Sequence, residues 1–143
     1  MSVAPAEIRI GAELVSPPYL LDADAAKAYL SGIEEPPRRR PRGNIHDDKN
    51  AAKKAGFVLP IAAGEQTIAI VAQFLADNFG MRFVRGGRID VSLTRPVFYG
   101  DTLTAHAKIV SVGPQRAELQ IHVENQRSAQ VLTGSAAIRL SDA

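Results

Sequence analysis

The pattern of apolar positions changes character at Gly80. Up to that point the dominant period is helical, and after it the period is two. In residues 64–79, Ile68, Val71, Ala72, Leu75 and Phe79 recur at i, i+3, i+4, i+7 and i+11, which predicts an amphipathic helix. At the standard rise per residue it would be about 24 Å long. Ile70 and Phe74 add apolar bulk on another face, so the helix is expected to be enclosed on most sides. Gly80 stops it. Beyond, Ile89, Val91 and Leu93 alternate with polar residues. So do Leu103, Ala105, Ala107 and Ile109, and then Ala117, Leu119, Ile121 and Val123. Leu132, Ala136, Ile138 and Leu140 continue less regularly. These are strands with one buried face, the signature of an antiparallel sheet. The breaks at Tyr99-Gly100-Asp101, Gly113-Pro114 and Asn125-Gln126 carry turn chemistry.

The first third of the chain is less regular. Glu13 to Leu20 reads as an edge strand or extended lead-in, because Pro17 and Pro18 cannot sit in a central strand. Asp22 can cap a short helix that stops near Gly32. Residues 34–44, EEPPRRRPRGN, are expected to be irregular and exposed. Asp47 or Asp48 can cap a further short helix that ends at Gly56. One long, nearly all-apolar helix followed by antiparallel strands gives an α+β class, with the sheet wrapped on the helix so that both bury their apolar faces.

Length and composition narrow the function classes. The 143 residues suit one domain spanning 1–143, and 45% hydrophobic with 22% charged residues is ordinary globular usage. A net charge of +2 gives no electrostatic footprint for nucleic acid. The absence of cysteine excludes disulfides, thiolate metal sites and a cysteine nucleophile. The histidines at 46, 106 and 122 show no metal-ligand spacing, and neither a metal nor a cofactor is called for. No apolar run approaches the roughly 18 residues of a membrane span, and residues 1–14 hold no apolar signal core, so a cytoplasmic protein is expected.

Candidate chemistry concentrates in residues 46–64, HDDKNAAKKAGFVLPIAAG. A histidine opens a short helical segment, and a glycine opens the long helix. This layout can set an imidazole, which both takes and gives protons, near a helix N-terminus whose backbone N–H groups favour a negatively charged oxygen. Glu65, in the first turn of that helix, complements the dipole or, turned inward, could act on water. Asp48 is read mainly as a helix cap. The arginines at 38, 39, 40 and 42 form a local basic patch suited either to phosphates or to solvent. His106 and His122 fall on polar strand faces.

Taken together, these motifs resemble the MaoC-like, R-specific enoyl-CoA hydratases. Ile45-His46 and Asp48 match that family's Asp-x-Asn-Pro-(Leu/Ile/Val)-His motif and the aspartate after it. Pro60-Ile61 and Gly64 follow without gaps, and residues 93–103, LTRPVFYGDTL, match a strand motif further on. The resemblance covers roughly residues 8–141. It implies a hotdog fold and a homodimer with sites at the subunit boundary. It also implies an acyl-thioester hydratase or dehydratase, with His46 as acid–base, Gly64 N–H holding the thioester carbonyl, and Ile45, Arg40 and Arg42 on the substrate. Three departures from the family pattern bear on the chemistry. Pro41 stands where the family carries its catalytic aspartate, Gly43 where it carries asparagine, and Ala63 where a histidine precedes the helix glycine. Asp47, Asp48, Glu65, Glu34 and Glu35 are the nearby carboxylates that could substitute. An acyl-CoA thioesterase using Glu65 or Asp48 is the alternative chemistry. A non-thioester small-molecule enzyme or binder, or an inactive subunit paired with an active homologue, is the third reading.

Overall fold

The computed structural model describes residues 7–24, 45–46 and 48–141. Its elements run β1 (Glu13–Val15), β2 (Tyr19–Leu20), α1 (Lys49–Lys54), α2 (Gly64–Phe79), α3 (Met81–Val84), β3 (Arg88–Leu93), β4 (Thr102–Val112), β5 (Arg116–Glu124) and β6 (Gln130–Arg139). The sheet order is β1-β4-β5-β6-β3, antiparallel throughout, with β2 also paired to β4.

The edge beside β4 shows how the chain accommodates two prolines. β1 pairs with His106–Lys108 of β4, and β2 with Thr102 and Leu103. Between them Pro17 and Pro18 have no N–H to donate. Ser16 bridges the gap: its backbone N–H donates to Ala105 O at 2.9 Å, and its hydroxyl oxygen accepts the Ala105 N–H at 2.9 Å. The edge is therefore satisfied where a regular ladder would fail. Burial, and then the negative charge of Asp77 on α2, raise the Tyr19 phenol above its ordinary pKa.

The core lies between α2 and the inward sheet face. Leu103, Ala105, Ala107 and Ile109 of β4 are buried with Ala117, Leu119, Ile121 and Val123 of β5, as the alternation predicts. Strand β6 departs from strict alternation, with Val131, Leu132, Ala136, Ala137 and Ile138 all buried. Its register with β5 shifts between Val123 and Glu124. Gly134 lets β3 approach closely, since a Cβ there would meet Asp90 O and Val91.

Helix α2 has the predicted bounds and a different phase. Its buried residues are Gln66, Thr67, Val71, Phe74, Leu75 and Phe79, with Ile70 partly buried. Ile68, expected on the core stripe, is 37% exposed, alongside exposed Glu65, Gln73 and Asp77. The helix is thus covered on one side within the chain rather than on most. Period alone fixes spacing; which side wins depends on the facing sheet, and Phe74 brings more apolar area than Ile68. A further difference follows Gly80, where φ is +57° and a helical turn, α3, precedes the first long strand. Its four residues are too few to show a period.

Helix α1 is defined at both ends by side-chain and backbone capping. Asp48 Oδ1 accepts the N–H groups of Asn50 at 2.7 Å and Ala51 at 3.3 Å. At the other end Gly56, at φ +93°, donates to Lys53 O at 3.0 Å while Phe57 donates to Ala52 O at 2.8 Å. This is the paired-bond Schellman stop that needs a left-handed residue, hence glycine. Asp22 Oδ1 accepts the Asp24 N–H at 3.0 Å, as a cap would, but the helix expected over 22–32 falls largely outside the described residues.

If the α2 stripe organises the core, Phe74→Ala lowers unfolding free energy by about 3–5 kcal/mol. Urea denaturation followed by circular dichroism reads this, and a loss below about 1 kcal/mol contradicts it.

Candidate functional site

Three stretches far apart in sequence meet at the N-terminus of α2, and backbone hydrogen bonds hold them. Ile61 N–H donates to Ile45 O at 3.0 Å, and Ala62 N–H donates to Val97 O at 2.7 Å. Ile61 also forms an isolated antiparallel bridge with Phe98. The Tyr99 hydroxyl donates to His46 O at 3.0 Å. Segment 60–63 is therefore laced on one side to the 45–46 turn and on the other to the loop before β4.

That loop is itself pinned. Asp101, buried, accepts the Phe98 N–H at 2.9 Å through Oδ2 and the Gln126 amide at 2.9 Å through Oδ1. Gly100, at φ +95°, donates to Leu21 O at 2.7 Å. The matched stretch at 93–103 thus acts as a frame that places residues 97–99.

His46 is half-buried, and its Nδ1 lies 2.8 Å from Ile61 O. A carbonyl only accepts, so Nδ1 carries the proton, and in the neutral ring the lone pair sits on Nε2. That is the tautomer a general base needs on the side facing away from its anchor.

The α2 N-terminus carries no side-chain cap. Ala63, the N-cap residue, has no capping side chain, and Gln66 N–H turns back to Ala63 O at 3.0 Å. Among the described residues no backbone carbonyl takes the Gly64 or Glu65 N–H. Uncapped N–H groups at a helix start form a site for an oxygen with negative character. Gly64 has no left-handed φ; a Cβ there would press on the tip of the Leu93 side chain, which would have to move aside.

A cavity of about 270 Å³ opens at this point. Gly64, Thr67, Ile61, Ala62 and Phe57 line it from one side, and Leu93, Thr94, Arg95, Pro96 and Val97 from the other. The Thr94 hydroxyl is engaged with Gln130 O at 2.9 Å, and Arg95 is exposed at the rim. The wall is mainly apolar, with one cationic group.

The predicted residues distribute unevenly over this geometry. Gly64 lines the cavity, while His46 stands one hydrogen bond behind its wall, on the carbonyl of the lining residue Ile61. Ile45 holds Ile61 through its backbone and is not among the lining residues. Glu65 is exposed, and Asp48 is committed to capping α1, so neither carboxylate lines the cavity. Arg40, Arg42, Glu34, Glu35, Asp47, Pro41 and Gly43 lie outside the described residues. Sequence reasoning gave Arg95 no chemistry and passed over Thr67; only a cavity formed between loop and helix distinguishes them. His106 and His122 do lie on polar strand faces, but the absence of metal-ligand spacing in the sequence gave no sign that they meet. His106 and His122 face each other across β4 and β5, beside Glu124, on the outward side of the sheet.

Comparison with known proteins bears on the fold and the family. A profile of the MaoC like domain matches residues 43–131, more than half of the chain. A comparison with curated proteins found no match. Among solved structures, the R-hydratase PhaJ1 of Pseudomonas aeruginosa is 22% identical at a TM-score of 0.73, with 96% of this chain and 84% of that one covered. The (R)-hydratase of A. caviae involved in PHA biosynthesis is 23% identical at 0.68, covering 94% and 98%. A monoamine oxidase regulatory protein from Archaeoglobus is 31% identical at 0.68, with 99% of each chain covered. The helix cradled by an antiparallel sheet is the hotdog fold, and the chain belongs to the MaoC-like family.

Proposed function

We propose that this protein is an acyl-thioester hydratase or dehydratase, a hydro-lyase that adds or removes water across the 2,3 position of an enoyl or 3-hydroxyacyl thioester. One observation carries the reading: the His46 Nδ1 bond to Ile61 O at 2.8 Å, which fixes ring and tautomer beside an uncapped helix start. In hydration His46 Nε2 takes a proton from the water as its oxygen bonds to C3, and the resulting imidazolium gives a proton to C2; dehydration runs the same transfers in reverse. The thioester carbonyl oxygen is held by the Gly64 N–H, where enolate character develops as the 2,3 bond reacts. The acyl chain lies along the apolar wall of Phe57, Ile61 and Val97. Arg95 at the rim, with Arg40 and Arg42, meets the anionic carrier end.

The working unit we propose is a homodimer. Among the described residues strand β3 pairs with β6 on one side only, and its Leu93 is 48% exposed while lining the cavity. A second copy on that edge would satisfy the open backbone groups and enclose the site. The thioesterase alternative needs a carboxylate at the water, and exposed Glu65 and capping Asp48 give it no support.

In a panel of enoyl-CoA thioesters, purified protein is expected to consume the enoyl absorbance without releasing thiol, and His46→Ala to lower kcat at least about 10²-fold. Thiol release without enoyl loss, or full activity in His46→Ala, refutes the assignment. Gly64→Ala places a methyl against the flexible Leu93 side chain. Its kcat/KM is expected to fall by about tenfold or more, since small displacements at the carbonyl are costly, with Tm nearly unchanged. Pro41→Asp, which returns the family's residue type to that position, is expected to raise kcat by about 10²-fold. An unchanged rate would mean that the acid–base pair is completed elsewhere.

A further inference from the structure

We propose that the outward face of the sheet carries a binding site for a divalent metal ion of the zinc class, with His106, His122 and Glu124 as its ligands. The site stands apart from the cavity at Gly64 and does not depend on the thioester reading.

Cross-strand register creates the cluster. His106 of β4 is directly opposite His122 of β5, and both point away from the core because Ala105, Ala107, Ile121 and Val123 point into it. Their rings stack with centroids 4.4 Å apart and planes within 5°. Glu124, two residues beyond His122, shares that face. Its Oε1 lies 3.0 Å from His122 Nε2, and its Oε2 lies 3.7 Å from His106 Nε2. One donor atom from each of the three lies within 4.8 Å of the other two, and all three side chains are about 30% exposed.

Two imidazoles and one carboxylate are a zinc donor set. Metal–ligand bonds of about 2.0–2.2 Å in a tetrahedron place neighbouring donors about 3.4 Å apart. The distances from the two ring nitrogens to the nearer Glu124 oxygens, 3.0 and 3.7 Å, lie on either side of that value. The Glu124 carboxylate reaches the Nε2 atoms of both stacked rings, so all three donors converge on one point of the outward face. Three protein ligands leave a fourth position to water. A hollow of about 300 Å³, lined also by Glu13, Lys108 and Gln120, gives it access. Lys108 stands opposite Glu13 in the adjoining row, so that row adds one charge of each sign. With no cysteine in the chain, thiolate competition is absent.

The test is equilibrium dialysis of the untagged, full-length protein against zinc chloride, with bound metal read by atomic absorption. Wild type is expected to retain about one zinc ion per chain, and zinc to raise its Tm by several degrees. His122→Gln and Glu124→Gln are expected to bind at least about tenfold more weakly and to lose the Tm shift. His46→Ala, which removes the third histidine, is expected to bind as wild type does. Folded wild-type protein that retains no zinc overturns the proposal. So does zinc retained undiminished by both His122→Gln and Glu124→Gln, or lost in His46→Ala.

Discussion

The burial of one stripe of α2, Val71, Phe74, Leu75 and Phe79, against the inward residues of β4, β5 and β6 is the contact on which the remaining geometry depends. It removes apolar surface from water on both elements at once, and neither has another partner for it among the described residues. Because this contact sets the axis of α2, it also sets where the helix begins. The N-terminus is left at the sheet margin, next to the loop that enters β4. A cavity arises there as a consequence of core packing.

Around that helix start, precision comes from main-chain bonds rather than from side-chain chemistry. Ile61 and Ala62 are each tied to a different strand of chain, through Ile45 O and Val97 O. A buried carboxylate, Asp101, holds the second of these from behind. His46 then needs only one further bond, to Ile61 O, to be oriented. Such a scaffold tolerates change in the residues that face the ligand while keeping their positions. This is consistent with a chain that keeps His46, Pro60, Ile61 and Gly64 of the family motif and departs from it at Pro41, Gly43 and Ala63.

The two faces of the sheet obey different constraints. Inward positions of β4 and β5 are restricted by packing, and the alanines at 105, 107 and 117 are buried among them. Outward positions are restricted only by their neighbours across the strands. His106, His122 and Glu124 share three adjacent positions there, and their proximity reflects register alone.

Much of the architecture was legible in the sequence. The bounds of α2, the cap and glycine stop of α1, the four long strands and their turns all follow from period, capping chemistry and turn residues. These are local properties, written within a few positions of one another. That Ile68 of α2 turns outward while Val71, Phe74, Leu75 and Phe79 are buried was not legible, because the facing surface decides it. Nor was the turn Met81–Val84, too short to show a period. His46 and Gly64 could be singled out from spacing, yet their separation by the Ile61 carbonyl, the role of Arg95 and Thr67 as cavity wall, and the pairing of His106 with His122 could not. Each of those depends on which residues stand opposite one another once distant segments have met. That is fixed by loop closure, strand register and the fit of the helix against the sheet, and only the folded chain supplies it.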